Sequence, residues 1–231
     1  ETPAELPVAI SAARSQQFRW NKGAAENFQK IYGMMFRDAT VSLGTKFHGF
    51  FHLLNSSMFL LVLLIAVLSL PVLYIQQNDP GYGWYLNIIA FFGVSTIIFF
   101  ICYWVAYRRI HGGGFKNFFR YIGMFFLFFS VAMGFSVHNS LAVLEGHLGK
   151  RSDFIRTPKF NISDLKNGWK GNQYLSRKLP MNMVFELVLF GYFGFAIYYG
   201  ISQQVYGMLI FHMMLFAGFG FVGFKSLAAR L

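Results

Sequence analysis

Acidic residues are scarce in this chain, nine in 231 residues against twenty Lys and Arg. They stand singly, at Glu1, Glu5, Glu26, Asp38, Asp79, Glu145, Asp153, Asp164 and Glu186, and no two form an Asp-x-Asp pair of the kind that chelates a metal and a nucleotide. Acids so dispersed offer no general acid–base pair for transfer chemistry. Cysteine is rarer still. Cys102 is alone and sits in an apolar stretch, so no intrachain disulfide can form. Charged residues make up 13% of the chain, against roughly 25% in ordinary globular domains. No strand–helix alternation is present that could build a nucleotide-binding sheet. The chain starts at Glu1 with neither an initiator methionine nor a signal-peptide pattern, and the expectation is a piece whose other half lies upstream.

Apolar and aromatic residues are abundant instead, at 55% and 20%, with 30 Phe. Charge-free stretches run over residues 47–78, 80–107, 121–144 and 187–224. A membrane-spanning helix needs about 20 apolar residues. The fold class expected is therefore all-α: a multipass transmembrane helix bundle, preceded by an amphipathic interfacial helix. Residues 1–46 form the approach to the membrane and 47–231 the transmembrane region. Spans are expected at about 47–75, 83–107, 181–201 and 205–224, the last two separated by Ser202-Gln203-Gln204.

The twenty basic residues fall in four clusters, within residues 1–46, 108–120, 145–180 and after Phe224. The connectors 76–83 and 202–206 contain none. The positive-inside rule puts the clusters, and both termini, in the cytosol, and a bacterial inner membrane is the expected location. The formal net charge of +11 then reads as topology and as contact with anionic lipid or phosphate. Nucleic acid is not an expected partner, because the charge is divided among the spans. Segment 119–144 has basic clusters on both sides, so the same rule makes it re-entrant or interfacial. Gly123, Gly134 and His138-Asn139-Ser140 are its breaking residues.

Residues 11–37 read as the interfacial helix. Phe28, Ile31, Tyr32, Met35 and Phe36 recur with helical spacing, while Lys22, Glu26, Gln29, Lys30 and Arg37 occupy other faces. Near its start lies Gln16-Gln17-Phe18-Arg19-Trp20. Gln16, Arg19 and Trp20 stand at i, i+3 and i+4 and so project from one side of a helix. Further along, after the apolar segment and a basic run, comes Phe154-Ile155-Arg156-Thr157-Pro158-Lys159.

The pentapeptide resembles the Q-(Q/R)-x-R-W signature of membrane glycosyltransferases of family 2, which include cellulose, glucomannan, chitin and hyaluronan synthases. The hexapeptide resembles the F-x-V-T-x-K gating loop of cellulose synthases, with Arg156 where Val is usual. Leu144-Glu145-Gly146-His147-Leu148-Gly149 and residues 6–23 are similar to the glucomannan-synthase-like branch. The resemblance implies that Gln16, Gln17, Arg19 and Trp20 meet acceptor and nucleotide diphosphate, Trp20 stacking on the acceptor sugar. It implies that Phe154, Arg156, Thr157 and Lys159 belong to a cytosolic gating loop, about residues 149–165. The whole enzyme would invert the anomeric centre while moving hexose from UDP-glucose or GDP-mannose to a glycan or lipid acceptor. A divalent cation, Mg²⁺ or Mn²⁺, would be bound by the upstream catalytic domain, and none by this chain. D-x-D and T-E-D elements precede the pentapeptide in the family and are missing here, so no catalytic residue is expected within residues 1–231 and the chain alone should be inactive.

The alternative is a non-enzymatic multipass membrane protein, a transporter or a docking subunit for a soluble partner. His48 and His52 stand at i, i+4 but lack the further ligand a metal site needs. Glu186 is an acid inside a span, which marks it as functional unless it snorkels to the interface.

Overall fold

The computed structural model describes residues 7, 9–79, 81, 84, 88, 94–151 and 181–228. Those residues form helices joined by turns, with no strand among them. In chain order they are α1 (Ile10–Arg37), α2 (Leu43–Leu53), a 3₁₀ turn (Leu54–Ser57), α3 (Met58–Asn78), α4 (Val94–His111), α5 (Phe115–Gly134), α6 (Ser136–His147), α7 (Met181–Ser202) and α8 (Leu209–Ala228). Four helical segments are long and apolar enough to cross a bilayer: Leu43–Asn78, Phe115–Gly134, Met181–Ser202 and Leu209–Ala228. The chain is an all-α, multipass integral membrane protein.

Two expected boundaries shift. The span expected over 47–75 is interrupted by the 3₁₀ turn, where Ser57 Oγ lies 2.7 Å from His147 Nε2 and Ser140 Oγ donates to the Phe59 carbonyl at 3.0 Å. The segment expected to be re-entrant contains a 20-residue helix of spanning length, α5, followed after a one-residue turn at Phe135 by α6. The span expected at 83–107 lies partly outside the described residues.

The bundle centres on α8, which packs along both α7 and α5. Its glycines make this possible. A Cβ added at Gly218 would sit 1.9 Å from the Ser130 carbonyl oxygen of α5, and one at Gly134 would sit 2.3 Å from the Gly218 oxygen. On its other side, Gly220 and Gly223 receive the side chains of Phe190 and Leu187 from α7. Lipid supplies no hydrophobic drive between helices, so small residues that let backbones meet are the means of association. Phe193 of α7 and Phe219 of α8 stack 5.7 Å apart in the buried core, beside Ala66 of α3 and Val137 of α6.

Within α3, Pro71 has no amide to give the Val67 carbonyl one turn earlier. Tyr192 of α7 donates its hydroxyl to that carbonyl at 2.6 Å. Ser69 of the same turn donates to the Ala66 carbonyl and lies 2.9 Å from His212 Nε2 of α8. The proline thus turns one helix's internal bond into a tie between helices, as backbone in hydrocarbon requires.

Candidate functional site

The face of α1 that is buried in the protein is neither apolar nor the expected stripe. Ala12, Arg14, Asn21, Lys22 and Ala25 are its buried residues. Phe28, Tyr32 and Phe36 form a ring ladder on another side, with Phe50 of α2 against Phe28 and Tyr32. Small residues bring α1 hard against α6. A Cβ at Gly146 would lie 2.7 Å from Ala25 Cβ and 2.6 Å from the Lys22 carbonyl oxygen. Beside that contact, Lys22 pairs with Glu145 at 3.3 Å, and Lys150 pairs with the other carboxylate oxygen at 2.8 Å. The hydrogen bond from Lys150 holds the Glu145 carboxyl below its usual range, helped by Lys22.

One turn before Phe18, the side chain of Arg14 reaches into the bundle. Its Nη2 donates to Glu186 Oε2 of α7 and, at 2.8 Å, to Ser226 Oγ of α8. Ser226 in turn donates its hydroxyl to the Val222 carbonyl at 2.7 Å. Glu186 is fully buried and Arg14 nearly so. Glu186 does not snorkel; it has a partner in the protein, as an ionisable residue within a span needs.

Arg14 is held by its backbone as well. The Arg14 carbonyl lies 2.9 Å from His138 Nε2, and Asn182 Nδ2 lies 3.1 Å from His138 Nδ1. A carbonyl accepts and an amide nitrogen donates, so His138 carries its proton on Nε2 and is neutral. Burial pushes the imidazole down to about 4; the hydrogen bond to the Arg14 carbonyl opposes that shift, and the Arg14 charge adds to it. Asn182 and Glu186 are one turn apart on α7. That helix therefore grips Arg14 at both ends, directly at the guanidinium and through His138 at the carbonyl.

The pentapeptide sits on α1 immediately after this point. Phe18, its middle residue, packs on the His138 ring with centroids 5.6 Å apart, and Lys22 lies 5.8 Å above the other side chain of that pair, the Phe18 ring. Asn21 Nδ2 donates to the Gln17 carbonyl at 2.8 Å and lies 3.5 Å from Gln17 Oε1. Gln16, Gln17 and Arg19 are half-buried, whereas Trp20 is 60% exposed. The structure thus places Gln16, Gln17, Arg19 and Trp20 on one continuous helix, with the indole turned away from the bundle. Phe154, Arg156, Thr157 and Lys159 lie outside the described residues. Among the described residues no three His, Cys, Asp or Glu side chains come together as a metal site would need. His48 and His52 stack with centroids 6.2 Å apart on exposed positions of α2.

Sequence reasoning missed Arg14, His138 as a ligand of α1, and Asn182. Arg14 had counted only as one basic residue in a cytosolic cluster. The available signal was Glu186, since an acid in a span calls for a cation, and the apolar segments around it supply none nearby. Compared with protein-family models, with curated proteins and with solved structures, the chain matches none.

Proposed function

We propose that this chain is the membrane-channel and acceptor-positioning part of an inverting glycosyltransferase that uses a nucleotide sugar of the UDP-glucose or GDP-mannose class. The observation that carries this reading is the disposition of the pentapeptide. An exposed indole, Trp20, extends from a helix whose preceding turn is fastened into membrane-spanning helices. A flat aromatic face suits stacking on a sugar, and Arg19, the neighbouring residue on the same helix, suits a diphosphate. In this reading the basic clusters and both termini are cytosolic, and the acceptor is a glycan or a lipid. The divalent cation, Mg²⁺ or Mn²⁺, and the base for the acceptor hydroxyl belong to a catalytic domain upstream of Glu1. The role of this half in that reading is binding and orientation. Phe154, Arg156, Thr157 and Lys159 would close over bound nucleotide.

The test uses the full-length protein containing this chain, purified in detergent and given radiolabelled UDP-glucose or GDP-mannose. The expected result is sugar transfer that Trp20→Ala nearly abolishes, with nucleoside diphosphate affinity and thermal stability close to wild type. An exposed residue contributes little to stability, so a loss of activity would report on the acceptor. No transfer from either donor, or transfer indifferent to Trp20→Ala, overturns the reading.

A further inference from the structure

The bonds around Arg14 close into a ring. The guanidinium is bound by Glu186, Glu186 lies one turn from Asn182, Asn182 donates to His138, and His138 donates back to the Arg14 carbonyl. Four helices meet there, α1, α6, α7 and, through Ser226, α8. The ring is expensive in charge. Arg14 Nε and Nη1 and Glu186 Oε1 are buried without a hydrogen-bond partner among the described residues. A buried ion pair left partly unsatisfied is a poor source of stability, because desolvation offsets most of the attraction. Specification of register is the best-attested use of such a pair. The pentapeptide is attached to this ring twice, by chain continuity from Arg14, two residues before Gln16, and by the Phe18–His138 ring contact. Trp20 itself has little of its own to hold it, being 60% exposed.

We propose that Arg14, Glu186, His138 and Asn182 are positioning residues that fix the rotation and height of the pentapeptide helix on α7 and α8, and so place Trp20 for the acceptor. The link to the acceptor rests on the function proposed above; the fixing of the helix does not. A slip of α1 by one residue would move Trp20 by about 1.5 Å along the axis and turn it by about 100°. Misplacement of about 1 Å can cost on the order of 100-fold in rate.

The variant that tests this is Arg14→Met/Glu186→Leu, which removes both charges and leaves neither orphaned. It is examined in the full-length protein by hydrogen exchange, thermal unfolding and steady-state kinetics. Expected are an unfolding temperature at or above wild type, at least tenfold faster amide exchange over residues 10–19, and unchanged exchange in α8. Turnover should fall on the order of 100-fold, with nucleoside diphosphate affinity within twofold of wild type. The swapped pair Arg14→Glu/Glu186→Arg should recover most of the exchange protection and turnover. Wild-type exchange over residues 10–19 in the apolar double variant overturns the clamp. Faster exchange with unchanged turnover overturns its positioning role. If the wild type transfers no sugar at all, the function proposed above fails, while the exchange measurement still decides whether the ring fixes α1.

Discussion

Where α5 crosses α8, the helices meet backbone to backbone. Gly134 and Gly218 leave no room for a Cβ, and what holds the crossing is dispersion over a close approach. Where α1 meets α7, contact is made by a guanidinium, a carboxylate, an imidazole and an amide, nearly all out of water. The glycine crossing admits no added volume, and the polar junction admits no missing partner. A bilayer favours the first kind of contact for assembly, so the second needs another reason to exist, and specification of register is one.

The largest effect that would sharpen this contrast is expected from Glu186→Ala. It leaves Arg14 charged and buried with only a serine, and should cost about 3–5 kcal/mol. Thermal unfolding of the purified protein in detergent measures it. A loss below about 1 kcal/mol, the value of an exposed pair, would mean that water reaches the junction. Next comes Gly218→Leu, which drives a side chain into the Ser130 backbone and should cost about 3 kcal/mol. Its control is Gly191→Leu on α7, where an added Cβ meets nothing within 4 Å. Similar losses at the two glycines would break the close-approach account.

These two junctions also differ in how legible they were. The helical class, the spans near 47–75, 181–201 and 205–224 and the break at residues 202–204 followed from charge-free runs of bilayer length, and Gln204 does adopt a φ of 58° there. The spanning helix Phe115–Gly134, by contrast, fell in a segment that the charge rule makes re-entrant. The start and end of α1 were equally plain. Its inward face was not, because periodicity finds apolar stripes, and this helix buries Arg14, Asn21 and Lys22 instead. Nothing local in the sequence says that Arg14 will find a carboxylate 172 residues away. The 3₁₀ turn at Leu54–Ser57 escaped for the same reason, since its Ser57 is engaged by His147 from α6. Tertiary partners decided both.

A further prediction separates the junctions by pH. His138 is neutral in the folded protein, held near 4, while an exposed histidine titrates near 6.5. The charged group beside it is Arg14, itself paired with Glu186. A depressed folded value means that stability from this group is complete above pH 6.5. It is lost as pH falls toward 4, because the unfolded chain takes up the proton first. The loss should reach about 2 kcal/mol at pH 5. His138→Gln should remove that slope, whereas Gly218→Ala should leave it in place. An unchanged pH profile in His138→Gln would locate the titration elsewhere. The smallest effect is expected from Ser69→Ala, which takes away the hydroxyl beside His212 between α3 and α8. Single hydrogen bonds between membrane helices average about 0.6 kcal/mol, so a loss above 2 kcal/mol would make this pair a second polar junction.

The separation of Arg14 from Glu186 also sets an order of events during synthesis. The two residues are 172 positions apart. At the usual 5–20 residues per second, Arg14 is made roughly 10–30 s before its partner. Through that interval its charge has no counter-ion in the bundle, so the Arg14 end of α1 must stay at the wet surface while α3 and α5 are already being inserted. Contacts of α1 with α6, the Lys22–Glu145 pair among them, form without α7, and the Arg14 anchor is the late step, possible only after α7 has entered the bilayer. A nascent chain arrested before Met181 would carry the start of α1 unanchored and open to proteases, and release of the arrest would close it.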